Sequence, residues 1–275
     1  MNLQFILGRA GTGKTHHCLN GITKELEKSP KGAPLIFLVP EQATLLAEMS
    51  LFSHSDIKGI MRAEILSFQR MTYRVLDEVG GSAKTHLGDL GKKMLIRRLL
   101  QKYKDRLKAF QLVADKPGFI ENLDRTFEEF KSYMISVDDL KEVYERYELS
   151  KQSKILKDKL HDLIILYSEF HDIVSDKYVE NSNYLDLLAQ KIRHWHFLDG
   201  AKVWIDGFTG FTPQEYMVIE EIMKKVNEFN ITLCMDGTSL NEKVDENNPF
   251  YRLRETMENV LSIGEKINAI VSRNL

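Results

Sequence analysis

Short apolar runs alternate with amphipathic stretches at both ends of the chain, while the middle carries amphipathic stretches alone. Leu3-Gln4-Phe5-Ile6-Leu7 is an apolar run that ends on a glycine loop, and helical spacing of apolar positions follows from Lys14 to about Lys28. Leu35-Ile36-Phe37-Leu38-Val39 is apolar without alternation and is stopped by Pro40, as expected of a strand buried on both faces. Glu41 to Phe52 reads as a helix and Arg62 to Phe68 as a third strand. The helix after it runs through Val79 to the Gly80-Gly81 pair.

From about Gly88 to His196 the β-branched runs disappear. Helix patterns succeed one another over 89–108, 117–132, 137–148, 152–178 and 183–194. Ser136 before Asp138-Asp139 and Asn183 before Tyr184-Leu185 mark helix starts. Strand texture returns at Lys202-Val203-Trp204-Ile205, closing on Asp206. A helix over 213–227 and a strand from Ile231 to Met235 follow, and Tyr251 to Leu275 reads as a last helix without a capping glycine. The pattern predicts an α/β fold: a parallel sheet built from 1–87 plus 197–275, interrupted by an all-helical insertion over 88–196 that is itself domain-sized.

Composition narrows the class. With 43% hydrophobic residues, 28% charged residues and only 6 prolines, the chain has the makeup of a folded domain rather than a disordered one. A net charge of −2 supplies no bulk attraction for nucleic acid, so such a partner would meet a local basic surface. No apolar stretch approaches membrane-span length and no leader pattern precedes the glycine loop, so a cytoplasmic location is expected. Cys18 and Cys234 read as two separate buried thiols of a reducing compartment.

The sharpest chemical signal is Gly8-Arg9-Ala10-Gly11-Thr12-Gly13-Lys14-Thr15, which fits the phosphate-loop pattern G-x-x-x-x-G-K-[ST] without a mismatch. Its glycines let backbone N–H groups converge on a phosphate, and the helix that follows points its positive end at the same anion. Lys14 is placed to reach the β- and γ-phosphates of ATP, and the Thr15 hydroxyl to hold Mg²⁺. A strand before the loop and a helix after it supply the required context. A second carboxylate is needed for the metal. Asp206 is the first candidate and Asp236 the second, each closing an apolar strand. Gly207 stands where motor ATPases place the glutamate that polarises the attacking water, so the expectation is ATP binding with poor hydrolysis.

Other features carry less. The 89–108 helix presents Lys92, Lys93, Arg97, Arg98, Lys102, Lys104, Arg106 and Lys108, against an apolar stripe of Leu95, Leu99, Tyr103 and Leu107. It reads as a solvated or partner-facing surface first and a DNA-backbone grip second. His194-Trp195-His196 lacks a third metal ligand nearby.

Four segments together resemble the AddB family, the B subunits of the bacterial AddAB ATP-dependent helicase/deoxyribonucleases. They are GRAGTGKT (8–15), LIFLVPEQATLLAE (35–48), RAEILSFQRMTYRVL (62–76) and VWIDGFTGFTPQE (203–215), in that order. The resemblance covers essentially the whole chain. It implies a P-loop NTPase fold of the superfamily-1 helicase, RecA type, and it implies an N-terminal fragment lacking the second motor domain and the nuclease. It carries over Gly8, Gly13, Lys14 and Thr15 as the nucleotide loop and Asp206 as the magnesium acid. It places Glu41, Gln42, Thr44, Ser67 and Phe68 on segments that lie along single-stranded DNA in related helicases. It also implies an AddA-like motor/nuclease partner subunit, DNA ends as substrate, Chi recognition, and an iron–sulfur cluster held beyond Leu275. The departures are Gly207 and the lack of an evident glutamine after Asp236, where Gly237-Thr238-Ser239 stands. The competing readings are a stand-alone P-loop phosphotransferase with a helical substrate lid, and a module that keeps its nucleotide as a permanent folding ligand.

Overall fold

A computed structural model describes residues 1–53, 62–80, 85–149, 154–180, 184–236 and 247–274. The first apolar run forms β1 (Asn2–Leu7), and the glycine loop passes the chain to α1 (Lys14–Lys28). Then come β2 (Leu35–Leu38), a 3₁₀ turn at Glu41–Ala43, α2 (Thr44–Ser53), β3 (Ala63–Leu66) and α3 (Phe68–Val79). Next are β4 (Thr85–Leu87), α4 (Asp89–Tyr103), α5 (Pro117–Ser132), α6 (Val137–Leu149), α7 (Lys154–Lys177) and β5 (Tyr178–Glu180). The last part holds α8 (Tyr184–Ile192), β6 (Lys202–Ile205), α9 (Pro213–Met223), β7 (Glu228–Leu233), α10 (Tyr251–Lys266) and β8 (Ile270–Asn274). The chain divides into two compact units, Met1–Gly81 with Leu185–Leu275, and Ser82–Tyr184.

In the first unit, six strands run parallel in the order β3-β2-β6-β7-β1-β8. Alternation sorts their side chains to two faces. Ile6, Leu35, Phe37, Ile65 and Trp204 pack under α1 and α2, with Cys18, Leu19, Ile22 and Leu51. Leu3, Phe5, Ile36, Leu38, Val203, Ile205, Phe229, Ile231 and Leu233 pack on the other face, against residues of α3, α8, α9 and α10. Burial on both faces explains why the strands read as unbroken apolar runs. Because every strand is parallel, the carboxyl ends of β1, β2, β3, β6 and β7 lie along one edge of the sheet.

The second unit has its own core, including Leu99, Leu100, Phe127, Leu166, Phe170 and Val174. Asp162, on α7, is fully buried and accepts backbone N–H bonds from Lys108, Ala109 and Phe110 at 2.8–3.0 Å. Ser136 caps α6 as expected, with its hydroxyl and amide both bonded to Asp139.

Several expectations are corrected. The insertion is not all-helical, since β4 and β5 form a two-stranded parallel sheet; three-residue strands are too short to show a period. Residues 185–196 share the helical texture of the insertion but belong to the sheet unit, where Leu188, Ile192 and Trp195 join its core. The last helix ends at Lys266 rather than running to Leu275. Asn268 adopts φ 55° and Ala269 N donates back to Gly264 O at 2.9 Å. The β-branched Ile270-Val271 then adds β8 beside β1. β7 begins three residues early, because Asn230 is buried with its amide donating to Val203 O at 3.2 Å. The 213–227 helix stops at Met223, and the 89–108 helix at Tyr103 with a 3₁₀ turn after it. Cys18 is buried, whereas Cys234 is only half-buried. Gly81, Asn183 and Gly237-Thr238-Ser239 lie outside the described residues.

Candidate functional site

The loop after β1 is a tight turn. Thr12 N and Oγ1 both donate to Arg9 O, at 3.3 and 2.9 Å. Gly11 and Gly13 take φ of 79° and 90°, conformations that glycine alone adopts without strain. Gly13 is also the residue preceding α1, and no side chain caps that helix start, so its first N–H groups face the loop. Lys14 turns back into the turn, its Nζ donating to Gly8 O at 2.9 Å and Arg9 O at 2.8 Å.

Asp206 lies at the carboxyl end of β6. Its backbone N–H donates to Leu38 O at 3.1 Å, which continues the ladder to β2 and fixes where the side chain emerges. The carboxylate is held at both oxygens. Thr15 Oγ1 donates to Oδ2 at 2.5 Å, and Thr232 Oγ1, on β7, donates to Oδ1. One strand, β7, separates β1 from β6 in the sheet, so the first residues of α1 reach across it to Asp206. Asp236, the other candidate acid, instead accepts from Arg9 Nη2 at 2.7 Å and Arg9 Nε at 3.1 Å. Burial pushes the neighbouring Cys18 thiol far above its ordinary range, with the Asp206 charge adding to the shift, so it stays protonated. Thr232 escapes a reading of the sequence. Its one signal is a hydroxyl within the apolar run Ile231-Thr232-Leu233.

Gly207 takes φ 83°, and a Cβ built on it would stand 3.2 Å from Pro40 Cδ. The position therefore disfavours any side chain, glutamate included.

The five residues assigned to DNA-lining segments do not share one fate. Thr44, Ser67 and Phe68 are buried. Thr44 Oγ1 donates to Glu41 O at 2.9 Å, and Ser67 Oγ donates to the Glu41 carboxylate while capping α3 at Arg70 N. Phe68 sits edge-on to Phe208 and Phe211, with ring centres 5.7 and 6.2 Å away. Glu41 and Gln42 remain exposed beyond the end of β2.

Half of the cations named for the basic segment are ion-paired within their own unit. Lys92 is 2% exposed and lies among Glu128, Asp124 at 3.6 Å and Asp89 at 3.8 Å. Burial works to lower its pKa, but the Glu128 hydrogen bond and the surrounding carboxylates outweigh it and hold the ammonium above its ordinary value. Burial also raises the Asp124 carboxyl, against the pull of Lys92. Lys93, Lys102 and Lys104 pair with Glu121, Glu169 and Asp115. Arg97, Arg98 and Lys108 are exposed without an ion pair among the described residues. His196 bonds Asp199 at 2.9 Å. Among the described residues, no three His, Cys, Asp or Glu side chains come together as a metal cluster, and no helix is long and apolar enough to cross a membrane.

The sequence profile of the family described as "ADDB, N-terminal" matches residues 5–274. The chain belongs to this AddB N-terminal family. Relatives named as the B subunits of ATP-dependent helicase/deoxyribonucleases agree. The one from Heliobacterium modesticaldum is 45% identical over 100% of this chain and 22% of its own length. That from Pelotomaculum thermopropionicum is 42% identical over 96% of this chain and 23% of its own. That from Bacillus mycoides is 34% identical over 100% of this chain and 24% of its own. The chain thus spans less than a quarter of these AddB relatives.

Proposed function

We propose that this chain is the ATP-binding, helicase-like N-terminal region of a subunit that processes DNA double-strand breaks for recombinational repair. In this reading it works with an AddA-like motor/nuclease subunit, on single strands and duplex ends, under Chi control, within the cytoplasm. The observation that carries the reading is the 2.5 Å contact between Thr15 and Asp206. Two oxygen ligands suited to Mg²⁺, from positions 191 residues apart, meet beside the glycine turn. The fit is chemical as well as spatial: hard oxygen donors for the ion, and a lysine with uncapped helix amides for the phosphates.

Gly8 to Lys14 would hold the β- and γ-phosphates, and Thr15 with Asp206 would hold the ion. The bound metal supplies charge neutralisation at the phosphates. Thr232 fixes the Asp206 carboxylate, as supporting groups commonly do for metal ligands. Nothing at position 207 can take a proton from water, so the site suits holding ATP rather than turning it over. Gln42 is the member of the DNA-lining set whose exposed side chain is available to a strand lying along the sheet edge, since the Glu41 carboxylate is engaged by Ser67 and Arg70. An iron–sulfur cluster belongs, in this reading, to the part of the longer family chain beyond Leu275.

The test is equilibrium binding of labelled ATP–Mg²⁺ and of single-stranded DNA to this chain and to Lys14→Ala. ATP binding that disappears with Lys14 supports the reading, as does ATP turnover that stays at background with DNA present. Binding indifferent to Lys14, or turnover stimulated by a small acceptor and not by DNA, overturns it.

A further inference from the structure

Both cations of the glycine loop are engaged by protein oxygens. Lys14 is held by the Gly8 and Arg9 carbonyls at 2.9 and 2.8 Å. Arg9 reaches out of the second loop position and gives Asp236 two N–H bonds, at 2.7 and 3.1 Å to the same oxygen. Asp236 comes just after β7, the strand lying between β1 and β6. The Arg9 side chain is 70% exposed and the Asp236 side chain 29%.

These are weak tethers. An exposed ion pair contributes little, because water screens it and two side chains must be immobilised. A phosphate offers the same guanidinium more charge and several acceptor oxygens, two of which can pair with its planar fork. The two cations are also linked through one residue, since the Arg9 carbonyl accepts from Lys14 and from Thr12 Oγ1. Drawing Lys14 toward a phosphate removes one of the bonds that fix the Arg9 backbone.

We propose that Arg9 is a phosphate ligand held in reserve, docked on Asp236 until a bound nucleotide's phosphate takes it over. The proposal rests on the nucleotide reading above and adds a competition to it. Asp236 opposes binding by occupying Arg9, and nucleotide capture breaks that ion pair.

A double-mutant cycle tests this. ATP–Mg²⁺ affinity is measured at low salt for the wild-type chain, Asp236→Asn, Arg9→Ala and the double variant. Asp236→Asn is expected to tighten binding by up to about fivefold, the scale of one exposed ion pair. Arg9→Ala is expected to weaken it by about tenfold, the scale of a charge-assisted hydrogen bond. The double variant should match Arg9→Ala, because Asp236 has nothing left to withhold. An unchanged or weaker Asp236→Asn overturns the proposal. So does a gain of the same size with Arg9 absent, which would reflect only relief of negative potential. Arg9→Gln, with its fold checked by urea unfolding, repeats the cycle should the alanine disturb the turn. If ATP binding does not depend on Lys14, the nucleotide reading itself fails. If it does and the cycle shows no coupling, the exchange alone fails.

Discussion

Replacing Gly207 by alanine adds one carbon at the position where the proposed nucleotide site lacks a base. At φ 83° a non-glycine residue is strained, by about 1–2 kcal/mol for a left-handed backbone. The new Cβ would also stand 3.2 Å from Pro40 Cδ and 3.6 Å from Cγ. A proline ring cannot rotate away, so relief requires a shift of the β2 end or of the turn after Asp206, adding about 1 kcal/mol or more of overpacking. Alanine also restricts the unfolded chain, returning about 0.4–1 kcal/mol. The net expectation is a loss of about 2 kcal/mol. Both tryptophans, Trp195 and Trp204, lie in the core of the sheet unit, so their fluorescence during urea unfolding follows that unit alone. With a slope of about 2–3 kcal/mol/M, the midpoint falls by roughly 0.7–1 M at unchanged slope. Gly207→Glu is expected to lose at least as much and to gain no ATP turnover. An alanine variant within about 0.5 kcal/mol of wild type would refute the strain, the threshold being the scatter of ordinary surface substitutions. A glutamate variant that hydrolyses ATP would refute the conclusion drawn from it.

Three further outcomes follow from the same reasoning. Thr232→Val removes the hydroxyl that fixes Asp206 Oδ1; it should weaken Mg²⁺-dependent nucleotide binding about tenfold while leaving binding in chelator unchanged, as checked by titration with and without Mg²⁺. Asp162→Ala strips the buried acceptor from the amides of Lys108, Ala109 and Phe110. At about 1–3 kcal/mol for each donor left unpaired, the second unit should lose several kcal/mol; circular dichroism melts would show this helical unit melting early with tryptophan fluorescence unmoved. Lys92 carries the pH signature. Its folded pKa lies above the ordinary 10.5, so its stabilisation is complete below that value and is lost as pH rises through the folded one. Alkaline titration followed by circular dichroism should show the helical unit weakening above about pH 10.5. Lys92→Met should be weaker at neutral pH and lack that component.

The sequence alone determined whatever depends on neighbours in the chain. β1, α1, β2, α5 and β6 were legible because strands buried on both faces leave unbroken apolar runs and helices leave a regular stripe. The glycine loop was legible as a tight turn between a strand and a helix because eight consecutive residues encode it. Gly207 was legible as a glycine where the family resemblance leads one to look for an acid, but its positive φ and its closeness to Pro40 were not, since Pro40 follows a different strand. Strand order decided the rest. Parallel packing brought Asp206 to Thr15, set Thr232 behind it and gave Asp236 to Arg9. It turned Thr44, Ser67 and Phe68 into the interior and made β8 from what reads as a helix end. Such pairings join residues far apart along the chain, and their partners are fixed only when the sheet assembles. Lys92 marks the same limit: on its own helix it is one charge among many, and only the carboxylates of α5 make it a buried ion.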